Sequence, residues 1–180
     1  MAKRIAALEA GGIAEQLGLR EGDVLFSING EAVLDTIDYQ ALTYETHIEL
    51  STSRGDFSFD KEEYEPLGVW LEADGVRLCV NHCPFCFVDQ LPPHVRESMR
   101  VKDDDWRQSL IAGNFVTLTN VYGRELDRII RRGASPLYIS VHATRPELRR
   151  QLLGCARGGE ILDTLSRLKE GGISYHLQAV

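Results

Sequence analysis

The sequence predicts a mixed α/β protein in two parts: a small, mainly β unit over residues 1–72 and a partial β/α barrel over residues 73–180. Three observations predict it. Before Asp74, short alternating runs are broken by tight-turn signals, whereas beyond it apolar strand-like runs alternate with amphipathic helical stretches. The charge divides at the same place: residues 1–72 carry 5 Lys/Arg against 15 Asp/Glu, net −10, and residues 73–180 carry 15 against 12, net +3. Finally, 180 residues at 43% hydrophobic content suffice for one ordinary domain or two small ones.

In the first part, Lys3 to Leu8 reads as a strand stopped by Gly11-Gly12, and Ile13 to Leu17 as one or two helical turns ended by Gly18. Val24 to Ile28 alternates as a strand, with Asn29-Gly30 turning it into Glu31-Ala32-Val33. Asp35 is placed to cap a helix containing Ile37, Tyr39 and Leu42. Residues 48–52 and 56–59 read as paired strands around Arg54-Gly55, and Leu67 to Leu71 as a last strand.

Four strands are expected in the second part: Val76 to Cys79, Asn114 to Thr119, Pro136 to Val141 and Tyr175 to Val180. Helical stretches separate the later ones, with Leu126, Ile129 and Ile130 on one face of the first and Leu162, Leu165 and Leu168 in the second. Such alternation predicts a parallel sheet with helices outside it and functional groups at the C-terminal ends of the strands.

Cys79, Cys83 and Cys86, in C-V-N-H-C-P-F-C, follow the first of these strands. Three thiols at this spacing can ligate one corner of a [4Fe–4S] cluster, leaving one iron without a local protein ligand. A structural zinc site wants four ligands, usually in two pairs, and no second C-x-x-C follows. His82 could complete a zinc set at the cost of a strained loop, and a redox role stays open. Cys155, 69 positions beyond Cys86, reads as a packed or free thiol.

Residues 11–33, G-G-I-A-E-Q-L-G-L-R-E-G-D-V-L-F-S-I-N-G-E-A-V, resemble the core of a bacterial PDZ domain. Pro66-Leu67-Gly68-Val69 resembles the loop with which such domains hold a peptide carboxylate, which implies a circularly permuted arrangement and a possible protein partner. A scaffold without a peptide ligand is the alternative.

The cysteine motif, with Phe85 just before its last cysteine, resembles the radical S-adenosylmethionine (radical SAM) superfamily. R-E-S-M-R-V-K-D-D-D-W-R-Q-S-L-I-A-G-N-F-V-T-L-T-N and S-P-L-Y-I-S-V-H-A-T-R-P-E extend the likeness to uncharacterised bacterial proteins that join a PDZ-like domain to a radical SAM core. The resemblance implies Cys79, Cys83 and Cys86 as ligands of a [4Fe–4S] cluster, S-adenosylmethionine as cofactor, a reducing electron donor, and radical chemistry on an unknown substrate. It also implies the N-terminal part of a barrel that in the superfamily usually has six strands.

On that likeness Phe85 covers the cluster and contacts adenine, or simply packs. Thr117, Thr119 and Asn120 stand where relatives carry a Gly-Gly-Glu motif for the cofactor's amino group. Ser140 and His142 face the same mouth as cofactor contacts or structural hydrogen bonds, with Gln178 a weaker candidate. Asp103-Asp104-Asp105 suits helix capping better than a divalent ion. Arg96, Arg100 and Arg107 are candidate anion holders, whereas Arg131-Arg132 and Arg149-Arg150 read as exposed helix residues. Crowded cysteines, no apolar run of membrane-span length and no signal-peptide pattern point to a cytoplasmic protein, and the acidic first part argues against nucleic acid. The rival to an enzyme is a PDZ-like scaffold stapled by a structural metal.

Overall fold

A computed structural model describes residues 2–180 as two compact units, the first ending at Gly75 and the second running Val76–Val180. The first unit is an antiparallel sheet with two short helices. Its elements are β1 (Lys3–Leu8), α1 (Ile13–Gln16), β2 (Val24–Ile28), β3 (Glu31–Ala32), α2 (Thr36–Leu42), β4 (His47–Thr52), β5 (Gly55–Asp60) and β6 (Val69–Leu71). The strands lie in the order β5-β4-β2-β1-β6, with β3 also paired to β2. Asn29 and Gly30 both take left-handed backbone angles (φ 49° and 76°), the geometry a tight β2–β3 hairpin needs. Asp35 caps α2 by accepting from the backbone N–H groups of Ile37 and Asp38. Ile5, Leu25, Ile28, Val33, Ile48, Leu50 and Leu67 form the apolar core beneath the sheet.

The second unit contains α3 (Trp106–Ala112), α4 (Gly123–Arg131), β7 (Leu137–Ser140), α5 (Pro146–Leu153), α6 (Ile161–Glu170) and β8 (Tyr175–Gln178), with single 3-10 turns at Glu97–Arg100 and Ala156–Glu160. Here the expected four-stranded parallel sheet is not formed. β7 and β8 pair in parallel, from Leu137 opposite Tyr175 to Ser140 opposite Gln178. The segment around Val116 joins them only through a single parallel bridge to Ile139. Leu78, on the expected first strand, instead makes an antiparallel bridge to Asp103.

Both departures have a local cause. The Thr117 N–H donates to the Asp104 carboxylate at 2.5 Å rather than to a strand, and Leu118 turns left-handed (φ 61°), so the extended run breaks after Val116. The Cys79 N–H donates to the Lys102 carbonyl and the Asp104 N–H to the Arg77 carbonyl, pairing the cysteine strand with the acidic segment. The unit is mixed α/β, and a closed barrel is not present among the described residues.

Candidate cluster and cofactor site

The cysteine loop leaves this antiparallel bridge at Cys79 and is pinned by main-chain bonds. The His82 N–H donates to the Leu153 carbonyl at 2.8 Å, and the Cys86 N–H to the Cys83 carbonyl at 3.1 Å. Gly154 (φ 56°) lies under the loop, where a Cβ would come within 2.9 Å of both the His82 carbonyl oxygen and the His82 Cβ. Only glycine combines that backbone angle with such a close approach.

Asn81 ties the loop to the segment after the α3 helix. It is 1% exposed. Its Nδ2 donates to Thr117 Oγ1 at 2.8 Å and to Cys79 Sγ at 3.3 Å, while Thr119 Oγ1 donates to its Oδ1 at 2.9 Å. Thr117 Oγ1 in turn donates to the Asp104 carboxylate at 2.6 Å, with Thr119 Oγ1 3.3 Å away. Burial pushes the Asp104 carboxyl above the usual carboxylate range in spite of these donors. The hydroxyls of Thr117 and Thr119 are therefore directed at Asp104 and Asn81.

The three thiols lie within electrostatic reach of one another. Burial, followed by the neighbouring Cys79 and Cys86, raises the Cys83 pKa; burial, with the nearby Asp104 charge opposing ionisation further, raises that of Cys79. All four cysteines are free thiols. Among the described residues, no three or more His, Cys, Asp or Glu side chains are gathered closely enough to hold a metal ion. The donors share a loop without converging on a point. Lys102, 2.6 Å from Asp89, contributes positive charge near Cys79 and Cys86.

Phe85 and His142 meet edge to face, ring centroids 5.1 Å apart. His142 follows β7 with a left-handed backbone (φ 60°), and its N–H donates to the Gln178 carbonyl at 3.3 Å. Burial, then the Arg149 charge, holds its pKa below the ordinary value, so the ring is neutral at pH 7. Its Nδ1 is buried without a hydrogen-bond partner, and so is Asn120 Oδ1. The Asn120 amide group is fixed in place, since Nδ2 donates to the carbonyls of Asp104 at 2.9 Å and Leu78 at 3.3 Å. Ser140 is buried at the end of β7 with its carbonyl turned to Arg149.

Arg149 corrects the expectation of an exposed helix residue. It is 1% exposed, and its guanidinium donates to the carbonyls of Val141 (2.7 Å), Gly158 (2.7 Å), Ser140 (2.8 Å) and Thr117 (3.0 Å). Burial brings its pKa down to about 10, so the charge persists at neutral pH. One side chain thus gathers chain ends that strand pairing leaves apart. Asp105 caps α3 through the Arg107 N–H at 3.0 Å and pairs with the Arg107 guanidinium at 2.5 Å, so that arginine is engaged within its own helix end. Sequence reasoning missed Asn81 and Arg149, and it read Asp104 as part of a capping triad, whereas its carboxylate accepts from Thr117. Asn81 had a legible signal, its place inside the cysteine run; Arg149 had none, because a single arginine on an amphipathic helix ordinarily faces water.

The family model of the Radical SAM-like domain matches residues 61–180, and the chain belongs to that family. A PDZ domain model matches residues 4–52, ahead of it. The longer match begins inside the first compact unit and takes in β6. No curated protein matches the chain. No helix among the described residues is long and apolar enough to cross a membrane.

Proposed function

We propose that the second unit is the cluster-bearing part of a radical SAM enzyme, with Cys79, Cys83 and Cys86 as ligands of a [4Fe–4S] cluster and S-adenosylmethionine completing the fourth iron. The carrying observation is the pair of buried polar atoms without partners, Asn120 Oδ1 and His142 Nδ1. They belong to the same neighbourhood as the three-thiol loop: Asn120 bonds the Leu78 carbonyl beside Cys79, and His142 packs on Phe85 beside Cys86. Unpaired buried polar atoms cost about 1–3 kcal/mol each, a cost that a ligand with hydrogen-bonding groups removes.

The donor chemistry suits the cluster: three half-buried thiols, no disulfide, and an amide donor already on Cys79 Sγ. When bound, the cluster and cofactor supply one-electron reduction and a carbon radical that takes hydrogen from the substrate. The protein's own residues bind and shield. Asn81 fixes the orientation of Cys79, Lys102 balances thiolate charge, and Phe85 with His142 forms an apolar wall that keeps water from the sulfurs. Thr117 and Thr119 act from behind, holding Asn81 and Asp104 in place. The substrate stays unassigned, and the PDZ-like unit recruits a protein partner in this reading.

Anaerobic reconstitution with iron and sulfide tests it. The expected product is brown, with about four irons per chain, and its reduced spectrum changes when S-adenosylmethionine is added. A colourless protein holding zinc tightly, with no such change, overturns the enzyme in favour of a metal-stapled scaffold. Cys155→Ser leaves the iron content unchanged.

A further inference from the structure

The first unit contains a groove of about 360 Å³ between β6 and α2. β6 is the edge strand of its sheet, so it offers a main chain to which an extended peptide can add. The likeness to PDZ domains implies a free peptide carboxylate held by the backbone N–H groups around Gly68. The groove is not arranged for one. Tyr39 lines the groove beside Val69, and burial pushes its pKa up to about 12. The Glu9 carboxylate stands beside the loop, its Oε2 3.3 Å from where a Cβ on Gly68 would lie. A second carboxylate, Glu65, lines the same groove, and no Lys or Arg does.

Aromatic side chains complete the wall. Tyr44 (56% exposed), Tyr64 (68%) and Trp70 (54%) are large rings left in water, and Tyr44 and Tyr64 meet edge to face at 5.6 Å. Tyr64 holds a left-handed backbone (φ 62°), a conformation that costs a bulky residue about 1 kcal/mol or more. Exposed aromatic faces and carboxylates around a groove without cations form an environment for a guanidinium or ammonium group. Residues 1–72 add a net charge of −10 around it.

We propose that this groove binds an internal, extended and positively charged peptide segment, added as a strand along β6 with a Lys or Arg side chain between the aromatic rings and the two carboxylates. The inference rests on the recruitment reading for the first unit and is independent of the cluster.

Fluorescence anisotropy on the full chain tests it with three labelled probes. These are acetyl-Val-Lys-Val-Arg-Val-Lys-amide, the same peptide with Glu at each basic position, and acetyl-Ser-Thr-Val-Ala-Val ending in a free carboxylate. The cationic amide is expected to bind about tenfold or more tighter than either other peptide, and to weaken in high salt. Tyr64→Ala and the double variant Glu9→Gln with Glu65→Gln should each weaken it about fivefold or more, while Glu49→Gln, on β4, leaves it unchanged. Tighter binding of the free-carboxylate probe overturns the cationic inference but keeps recruitment. Equal weakening by Glu49→Gln overturns it as general attraction to an acidic surface. Absence of binding by all three probes overturns both it and the recruitment reading.

Discussion

The two units hold themselves together by different means. In the first, a continuous sheet covers an apolar cluster, and the buried polar or charged residues are Asp35, Asp38, Thr52 and Lys61. In the second, nine buried polar or charged residues stand among the apolar ones, and β7 and β8 are the sole pair of full strands among the described residues. Hydrogen bonds donated by Arg149 and Asn81, and those the Asp104 carboxylate accepts, there do the joining that ladder bonds do in the first. Directional polar contacts fix where atoms sit, at the cost of tolerating substitution poorly. That would suit a unit that holds a cluster and cofactor, as proposed above.

Removing Arg149 is the severest way to test this contrast. Arg149→Met removes a donor from four carbonyls, of which that of Val141 keeps the Ala143 N–H, and is expected to cost the second unit about 4 kcal/mol. Hydrogen exchange should then speed up across β7 and β8 while β4 and β5 keep their protection; uniform acceleration would break the comparison. Ile28→Ala is the counterpart in the first unit, where a fully buried side chain is lost at an expected cost of about 3 kcal/mol. Denaturant titration with exchange readout should assign that loss to the sheet, leaving the β7–β8 amides as they were.

Gly154→Ala is smaller in energy and sharper in meaning. A Cβ that meets the His82 carbonyl, at a left-handed position, should cost about 2 kcal/mol and displace the cysteine loop. Iron content after reconstitution should fall even though the three thiols remain. Full incorporation would mean that the loop does not depend on its seat.

The smallest effect is the pH response of His142. Its folded pKa lies below the ordinary value of 6.5, so folding favours the neutral ring. The associated stability is present above the unfolded pKa and is lost as pH falls from about 6.5 through the folded value. His142→Phe should flatten that slope in thermal melts between pH 7.5 and 5.5, and an unchanged slope would place the effect elsewhere.

The first unit was legible from the sequence because its signals are local: Asn29-Gly30 dictates a hairpin, and Asp35 two residues before Ile37 dictates a cap. The helices α4 and α6 were legible from apolar period in the same way. The strand expected over residues 114–119 failed because its pattern is apolar enough for a strand, yet Asp104, thirteen residues before Thr117, captures the amide that the strand needed. Such competition is set by tertiary position, which a residue pattern does not encode. At the candidate site, the chain brings Phe85 to His142 and Asn120 to the cysteine strand, both among the residues singled out. The pins behind them were not legible, since Arg149 read as an exposed helix charge and Asp104 as part of a helix-capping triad.

β6 closes its sheet against β1, with Leu71 opposite Ile5, a pairing that spans 66 positions of chain. No local turn can nucleate it, and the loop must be closed before its contacts repay the lost entropy. During synthesis from the N-terminus, β1 therefore waits with one edge unpaired until almost the whole first unit has been made. The groove beside β6 comes into being only at that last step of the unit's folding. Chain order thus makes that groove the last feature of the first unit to be completed.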